Sequence, residues 1–400
     1  MPDQKQKVLI VHNYYQIPGG EDTVVANEKK LLEENGHKVV LYTRHNSELK
    51  TFSKFQKLLL PFSTIFSMKT FKEVKALIKK EQIDVVHVHN TLNLVSPSVY
   101  YAALACKVPV VQTIHNFRLL CPGAAFFRDG KICEDCVSKG LVCAVKHKCY
   151  RGSTLQTLAC VMSTGIHRMM GIYGKLNYIC LTAFNKEKLL QLKQIKPENV
   201  FIKPNFVEQS CQVIPYGERK EQFIYAGRLD PLKGIEILLK AWSAYPPDKE
   251  KLVICGTGPM EAWCREFVVK HQLGNVELKG FVENSVVKKM IGESKALILP
   301  TQWYEGFPMT IVESYAAGTP VIASDLGNAG SLVEEGVSGW KFQADSAEAL
   351  TEILKKASGD QKGLDQSYVE KYSVESNYEQ LRNIYETCCN HNKYTGTVSR

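Results

Sequence analysis

The stretch from Tyr304 to Pro320 reads Tyr-Glu-Gly-Phe-Pro-Met-Thr-Ile-Val-Glu-Ser-Tyr-Ala-Ala-Gly-Thr-Pro. An apolar run at 296–299 precedes it and predicts a buried strand. A helix is predicted from about Pro308, because proline suits the first turn, and Gly318 is placed to end that helix. The apolar run at 321–323 then predicts another strand, so the order is strand, loop, helix, strand, as in an α/β fold.

Two glutamates flank the start of this predicted helix, Glu305 in the loop and Glu313 on the helix itself. The amides of Met309 and Thr310 would point out of the helix N-terminus, which attracts phosphate through its unpaired N–H groups and dipole. Carboxylates on either side of a phosphate can accept hydrogen bonds from sugar hydroxyls. Taken singly, however, each glutamate is more readily explained as a solvated surface acid.

The spacing of the two glutamates favours a site. A glutamate, seven residues and a second glutamate, with Gly-Phe-Pro after the first and Ala-Ala-Gly-Thr-Pro-Val-Ile after the second, resemble the signature of family 4 glycosyltransferases. These are retaining enzymes with the GT-B fold. The resemblance therefore implies an α/β chain of two Rossmann-like parallel-sheet domains that face each other across a cleft. The family often has Phe-Gly where this chain has Gly-Phe-Pro.

Length and composition agree with a two-domain globular protein. The chain has 400 residues and is 44% apolar, which suits two large α/β cores. No apolar run is long enough to span a bilayer, and the N-terminal apolar run is too short for a signal peptide. Thirteen cysteines without an export signal favour metal binding or plain burial over disulfides. We therefore expect a cytoplasmic protein, peripheral at the inner face of a membrane.

The net charge of +9 indicates an anionic partner. No nucleic-acid-binding motif is present, so a membrane surface or an anionic lipid carrier is the better match. The region from Lys50 to Lys80 mixes lysines with phenylalanine, leucine and isoleucine and is interrupted by Pro61. It is explained either by ordinary amphipathic helices packed on the sheet or by a basic surface that meets anionic lipid.

Two tandem α/β halves are predicted from apolar runs that alternate with helical patterns. The N-terminal domain spans 1–207 and carries a cysteine-rich insertion at about 117–152. The nucleotide-sugar domain spans 208–372 and begins with a polar linker at 209–220. A final helix and tail, 373–400, return towards the N-terminal domain, as the resemblance implies. The predicted strands lie at 8–11, 39–42, 85–88, 108–111, 178–181, 223–226, 252–255, 276–278, 296–299 and 321–323, and the first helix is predicted at 26–35.

The N-terminal half contributes three candidate features. Gly19 and Gly20, which follow Pro18, would let the backbone approach a ligand, and the resemblance implies that this loop faces the donor diphosphate and the acceptor. His115 follows a predicted strand, and in the family such a histidine lines the cleft and contacts the donor sugar. His87 and His89 share one face of a strand, but no third metal ligand is apparent in the sequence.

The cysteine-rich insertion contains Cys133-Glu134-Asp135-Cys136, a spacing that suits a shared tetrahedral zinc. The predicted set is Cys121, Cys133, Cys136 and Cys149, with free buried thiols as the alternative. Some family 4 members carry a similar insertion after a His-Asn-x-Arg segment. Four sulfurs leave no open position, so the zinc would be structural.

The predicted donor site lies in the second half. Gly227-Arg228-Leu229 and Lys233-Gly234 match the family's Gly-Arg-Leu…Lys-Gly motif, which implies that Arg228 and Lys233 hold the diphosphate and neutralise the leaving group. Glu313 is implied as the ribose ligand and Glu305 as a ligand of the sugar near the reacting centre. Further donor contacts are implied for Gly256, Phe281, Met309 and Thr310.

The predicted function is transfer of a hexose or N-acetylhexosamine from a nucleotide diphosphate sugar to a glycan or polyprenyl-diphosphate-linked acceptor, in polysaccharide synthesis. UDP is favoured over GDP as the nucleotide. No Asp-x-Asp motif is evident, so a reaction without a catalytic metal is expected. The resemblance implies retention of the anomeric configuration, with His115, Glu305, Arg228 and Lys233 as the catalytic set. The alternatives are a sugar-nucleotide epimerase of the same fold and a non-catalytic subunit that binds nucleotide sugar.

Overall fold

A computed structural model describes residues 5–16, 19–208, 213–245, 249–360 and 363–395. The chain divides into two compact units. Unit 1 comprises Met1–Arg128, Cys133–Pro204 and Tyr378–Arg400, and unit 2 comprises Asp129–Ile132 and Asn205–Asn377. No helix among the described residues is both long and apolar enough to cross a membrane.

The chain up to residue 204 forms a parallel sheet with the strand order β2-β1-β3-β4-β7-β8, and a separate short hairpin, β5–β6. Its elements are β1 Lys7–Tyr14, α1 Gly20–Glu34, β2 Lys38–His45, α2 Lys54–Ile65, α3 Met68–Glu81, β3 Val85–Val88, α4 Ser98–Ala105, β4 Val110–Ile114, β5 Phe127–Arg128, β6 Lys131–Ile132, α5 Asp135–Ser138, α6 Val142–Lys146, α7 Thr154–Met169, β7 Asn177–Cys180, α8 Ala183–Leu189 and β8 Val200–Ile202.

The second sheet, in unit 2, is also parallel and has the order β11-β10-β9-β12-β13-β14. This is the order of a doubly wound dinucleotide-binding fold. Its elements are β9 Gln222–Ala226, α9 Ile235–Ala244, β10 Lys251–Cys255, α10 Glu261–Lys270, β11 Val276–Gly280, α11 Asn284–Gly292, β12 Ala296–Leu299, α12 Met309–Ala316, β13 Val321–Ser324, α13 Gly327–Leu332, β14 Gly339–Phe342, α14 Ala347–Gly359 and α15 Gln366–Lys371.

Strand β9 shows why the apolar runs are continuous. Phe223 and Tyr225 point into one hydrophobic core, with the helices α9 and α14, whereas Ile224 and Ala226 point into the core on the opposite face, with α12. Because successive side chains of a strand alternate between faces, a strand covered on both sides must be apolar at every position. Burying each large apolar side chain contributes about 1.5–3 kcal/mol before entropic costs.

All ten predicted strands are present, and β8 and β14 are two that the sequence patterns did not predict. The first helix begins at Gly20, not at Ala26 as predicted. Its first turn is fixed by the Asp22 carboxylate, which accepts a hydrogen bond from the Gly19 N–H at 2.9 Å. The sequence analysis missed this first turn because it consists of glycine and acidic residues, and the apolar periodicity of the helix starts only at Val24.

The C-terminal helix, α16 Val374–Thr395, packs on the sheet of unit 1 from Tyr378 onwards. Leu381 and Tyr385 are completely buried against β1 and β3. The Tyr385 hydroxyl lies 2.7 Å from Nδ1 of His87. The last helix of the chain therefore completes the core formed by its first strands.

Gly339 at the start of β14 provides a test of strand packing. Its φ is +155°, and a Cβ atom there would lie 1.9 Å from the carbonyl oxygen of Val321 in β13. We expect Gly339→Ala to lower the free energy of unfolding by about 1–3 kcal/mol, the usual cost of overpacking. Urea denaturation measures the difference.

Gly274→Ala is the matched control, because a Cβ atom at Gly274 would meet no atom within 4 Å. Its unfolding midpoint should stay close to that of the unsubstituted protein. Equal midpoints for the two variants would contradict the packing that we describe.

Candidate functional site

The strand order of unit 2 reverses between β9 and β12, which are direct neighbours. In open parallel sheets, ligands bind beyond the carboxyl ends of the strands at such a reversal. The loops that follow these two strands, 227–234 and 300–308, are the ones that carry the predicted donor motifs. The topology therefore brings the Gly-Arg-Leu…Lys-Gly motif and Glu305 to one edge of the sheet.

Lys233 and Glu305 meet at this edge. Lys233 Nζ lies 2.7 Å from Glu305 Oε2, and the glutamate side chain is only 8% exposed. The second carboxylate oxygen, Oε1, is buried and has no hydrogen-bond partner among the described residues. An ionised carboxylate accepts up to four hydrogen bonds, so Oε1 is available to a hydroxyl donor.

Arg228 is more exposed than Lys233, with 68% of its side chain accessible, and lies 3.4 Å from the Asp230 carboxylate. The backbone that carries it is held on both sides. The Tyr225 hydroxyl donates to the carbonyl oxygen of Arg228 at 2.7 Å, and Asp230 accepts from the N–H of Leu232. A fixed backbone with an extended guanidinium is suited to reach an anionic ligand.

Two glycines allow the close approach of backbone segments around these residues. At Gly234, with φ +71°, a Cβ atom would lie 1.7 Å from the Pro300 carbonyl oxygen. At Gly256, with φ +145°, it would lie 1.8 Å from the Gly227 carbonyl oxygen. Gly256 thus packs against the turn that leads to Arg228, and both glycines are required by the backbone itself.

Helix α12 begins at Met309, so Met309 and Thr310 supply its first two amides. No side chain among the described residues caps this end of the helix. Glu313 lies one turn further on, 3.7 Å from Lys288 Nζ, and burial raises the pKa of its carboxyl although Lys288 opposes the shift. Phe281, which follows β11, is 75% exposed.

Asn328 is a site residue that the sequence analysis missed. It is completely buried, and its amide donates to the backbone carbonyl oxygens of Glu305 and Gly306 at 2.5 and 2.7 Å. These bonds fix the loop that carries Glu305. The sequence offered one signal for Asn328: it is a polar residue among small residues at the start of α13, shortly after the Glu305 and Glu313 motif.

The predicted residues of unit 1 lie at the carboxyl ends of β1 and β4. Gly19 is the N-cap of α1 and Gly20 its first residue, and both are exposed. Pro18, the residue before them, lies outside the described residues. His115 directly follows β4 and is partly exposed, and burial of its ring lowers its pKa to about 3.

His115 is the outer member of a buried polar cluster. Its Nε2 lies 2.9 Å from Nδ1 of His89. His89 Nε2 lies 3.4 Å from Oε2 of Glu28, a glutamate with 1% of its side chain exposed. Glu28 Oε1 accepts a hydrogen bond from Lys203 Nζ at 2.8 Å. Only His115 of these four residues was predicted as a site residue.

The same cluster supplies the third potential metal ligand that the sequence did not reveal. Among the described residues, Glu28, His87 and His89 are the one group of at least three such side chains whose ligand atoms lie within 4.8 Å of one another. However, Lys203 already neutralises Glu28, and both ring nitrogens of His87 have partners, Tyr385 and Thr113, at 2.7 Å. The group therefore fits a hydrogen-bonded network better than a cation site.

The cysteines of the insertion converge on Cys136, which is buried. Burial raises the pKa of this thiol to about 12, and Cys121, Cys149 and Cys143 contribute to the shift. Cys143 and Cys149 also pack against the small hydrophobic cluster that contains Cys136. No three of the described cysteines have their sulfur atoms within 4.8 Å of one another, so a shared zinc would draw them closer together.

Comparison with known families gives two matches along the chain. Residues 18–130 match the model described as Glycosyltransferase Family 4, and residues 208–373 match the model described as Glycosyl transferases group 1. The second match contains the whole of the Lys233 and Glu305 site. The first contains Gly19, Gly20 and His115.

Individual relatives agree with these matches. An uncharacterized glycosyltransferase of Methanocaldococcus jannaschii, MJ1178, is 26% identical over 95% of this chain and 98% of its own length. The putative colanic acid biosynthesis glycosyltransferase WcaL of Salmonella typhimurium is 30% identical over 34% of this chain and 36% of its own. Anabaena HepE, solved in complex with UDP, has a TM-score of 0.63 at 16% identity, over 95% of this chain and all of HepE. The chain therefore belongs to the glycosyltransferases of the GT-B fold, with a family 4 region followed by a group 1 region.

Proposed function

We propose that the protein transfers a hexose or N-acetylhexosamine from a nucleotide diphosphate sugar to a glycan or lipid-linked acceptor, with retention of the anomeric configuration. The observation that carries the proposal is the ion pair of Lys233 and Glu305 at the strand-order reversal, with the second oxygen of Glu305 buried and unpartnered. A cation and a carboxylate acceptor at this position suit a diphosphate and a sugar hydroxyl of one donor.

The proposed division of roles follows from charge. Glycosyl transfer develops negative charge on the departing phosphate, so Arg228, Lys233 and the first amides of α12 would stabilise the transition state more than the ground state. Glu305 would accept a hydroxyl of the sugar, and Glu313 the ribose hydroxyls. Gly19, Gly20, Gly256 and Phe281 would complete the donor contacts, and His115 the contact with the sugar.

UDP is the proposed nucleotide. A relative of the same fold has been solved with UDP, and this supports UDP over GDP. Several relatives bear names that refer to polysaccharide synthesis, including WcaL, so a cell-surface polysaccharide is the proposed product. The two fixed cations would serve in place of a divalent ion at the diphosphate.

We propose that unit 1, the acceptor-binding unit, binds the cytoplasmic face of an anionic membrane. Helices α2 and α7 pack against each other and form what we call the α2–α7 surface, which exposes apolar side chains beside Lys54 and Lys57. Large exposed apolar patches mark interaction sites, and adjacent lysines favour anionic lipid. The apolar side chains of this surface are Phe55, Leu58, Leu59, Phe62, Leu155, Leu158, Met162, Met169 and Met170.

A structural zinc is proposed for the cysteine insertion. Cys121, Cys133, Cys136 and Cys149 are the proposed ligands, and the contributions of Cys121 and Cys149 to the raised pKa of Cys136 support three members of this set. Bound metal would order a segment whose own hydrophobic cluster is small.

Removing the phosphate contacts should affect turnover more than folding. We expect Lys233→Ala and Arg228→Ala each to lower kcat/KM on the order of a hundredfold, as does loss of one oxyanion-hole donor. The measurement is release of UDP from a panel of UDP- and GDP-sugars, with and without a polyprenyl-diphosphate-linked acceptor.

Lys240→Ala is the matched control for this test, because Lys240 forms an ion pair with Glu236 at the same 2.7 Å but on the exposed surface of α9. Its turnover should be unchanged. Melting temperatures are measured in parallel, and an equal loss of activity and stability in Lys233→Ala would indicate a structural lysine instead.

The α2–α7 surface predicts binding to anionic vesicles at low salt. We expect the double variant Phe55→Ser and Phe62→Ser to lose most of this binding, since both side chains are 68% exposed and would insert among acyl chains. Co-sedimentation with vesicles that contain phosphatidylglycerol measures the bound fraction.

A double variant of exposed valines on unit 2, Val269→Ser and Val337→Ser, is the control and should bind as the unsubstituted protein does. Binding that is equal in both double variants, or absent from the unsubstituted protein, would refute the membrane proposal.

Elemental analysis tests the zinc. Protein purified without chelator should contain about one zinc per chain, the content of a single tetrahedral site. We expect Cys133→Ser and Cys136→Ser to lose it. Cys143→Ser should keep it, as should Cys264→Ser, a buried cysteine of unit 2. Metal-free protein, or zinc that is retained in Cys133→Ser, would overturn this assignment.

A further inference from the structure

The buried cluster behind His115 is larger than a histidine contact with a sugar requires. Glu28 comes from α1, His89 from the end of β3, and Lys203 from the segment after β8. All of them belong to unit 1. Burying a carboxylate and an ammonium is costly unless each is paired, so their presence at this position needs an explanation.

Glu28 is an ionised acceptor. Burial acts to raise its pKa, whereas the charge and the hydrogen bond of Lys203 lower it, and the pKa lies below its usual value. Its oxygen Oε1 accepts from Lys203, whereas Oε2 has no hydrogen-bond partner among the described residues. The nearest polar atoms that the structure gives for Oε2 are ring nitrogens, His89 Nε2 at 3.4 Å and His87 Nδ1 at 3.6 Å.

The imidazole rings of His89 and His115 are both neutral. Burial lowers the pKa of His89 and that of His115 far below neutrality. A neutral imidazole carries one N–H and one lone pair, so two rings joined by a single hydrogen bond have only two tautomeric arrangements. In one, His115 donates to His89; in the other, His89 donates to His115.

Glu28 selects between these arrangements, because an ionised carboxylate can only accept. The proton of His89 is favoured on Nε2, because Nε2 lies 3.4 Å from the negatively charged Glu28 carboxylate and has no hydrogen-bond partner among the described residues. His89 Nδ1 is then an acceptor, and the His115 Nε2–H must donate to it across 2.9 Å. The lone pair of His115 is thereby left on Nδ1.

We infer that Glu28 and His89 are positioning residues that hold His115 in the Nε2–H tautomer, so that its Nδ1 accepts a hydrogen bond from a hydroxyl of the donor sugar. The sugar contact rests on the proposed function, whereas the tautomer does not. Lys203 keeps Glu28 ionised, and His87, whose nitrogens have other partners, packs beside the relay without belonging to it.

The tautomer can be read directly by ¹⁵N NMR of ring nitrogens in histidine-labelled protein, with His115→Asn to assign the His115 signals. The free protein should show His115 protonated on Nε2. The charge-balanced double variant Glu28→Gln and Lys203→Met should lose this preference, because a carboxamide can donate to His89 as well as accept from it.

Turnover provides the second measurement. We expect the double variant to lose on the order of tenfold to a hundredfold in kcat, as when carboxylates behind metal-bound histidines are removed. Its Kd for UDP, which lacks the sugar, should be unchanged. Tyr385→Phe is the control: it removes the hydroxyl that contacts His87 in the same cluster and should alter neither the tautomer nor kcat.

The outcomes separate the relay from the proposed function. His115 protonated on Nδ1 in the unsubstituted protein would overturn the relay, and this result does not depend on whether the double variant folds. An unchanged tautomer in a folded double variant would overturn it as well. If the tautomer responds as expected but His115→Ala retains full turnover, the relay stands and the role of His115 in transfer fails.

Discussion

The pairing of β9 with β12 is the constraint on which the candidate donor site depends. These strands are far apart in the chain, yet they are parallel neighbours in the sheet of unit 2. Parallel pairing sends both chains out at the same edge, one towards Lys233 and the other towards Glu305. The ion pair between these residues and the close packing of Gly234 against Pro300 follow from that adjacency, and the hydrogen bond from Asn328 to the Glu305 loop follows from the pairing of β12 with β13.

Unit 1 also has a parallel sheet, but its polar cluster is built around a buried ion pair. Its histidines at the ends of β3 and β4 are packed in front of a buried ion pair, Glu28 with Lys203. Such a pair adds little net stability, because desolvation opposes the attraction of the charges. Its effect is local: it leaves the second carboxylate oxygen of Glu28 at 3.4 Å from Nε2 of His89. Both units thus contain a buried acidic acceptor, Glu305 in the loop after β12 and Glu28 on α1.

The exposed features of unit 1 have a separate physical basis. Helix α2 has one buried residue, Thr64, and exposes Phe55, Leu58, Leu59 and Phe62 to solvent. A helix that served only to cover the sheet would bury those side chains. The cysteine insertion differs from α2, because its residue Cys136 is buried. The hydrophobic cluster around Cys136 is small and has few other apolar groups to stabilise it.

The sequence by itself determined the α/β class, the ten strands with continuous apolar runs, and the glycosyltransferase family. Strands buried on both faces require apolar residues at every position, and close backbone contacts require glycine, so both can be recognised from residue type. It also predicted Lys233, Glu305 and His115 as site residues, because they lie in motifs. It did not point to Glu28, Lys203 or Asn328. Glu28 occupies a core-facing position of α1 between Val24 and Leu31, and its partners come from distant segments. Only the tertiary structure decides such groupings. Each of these residues interacts with a charged or hydrogen-bonding group that is distant in the sequence, and such a pairing produces no periodic or local pattern in the chain.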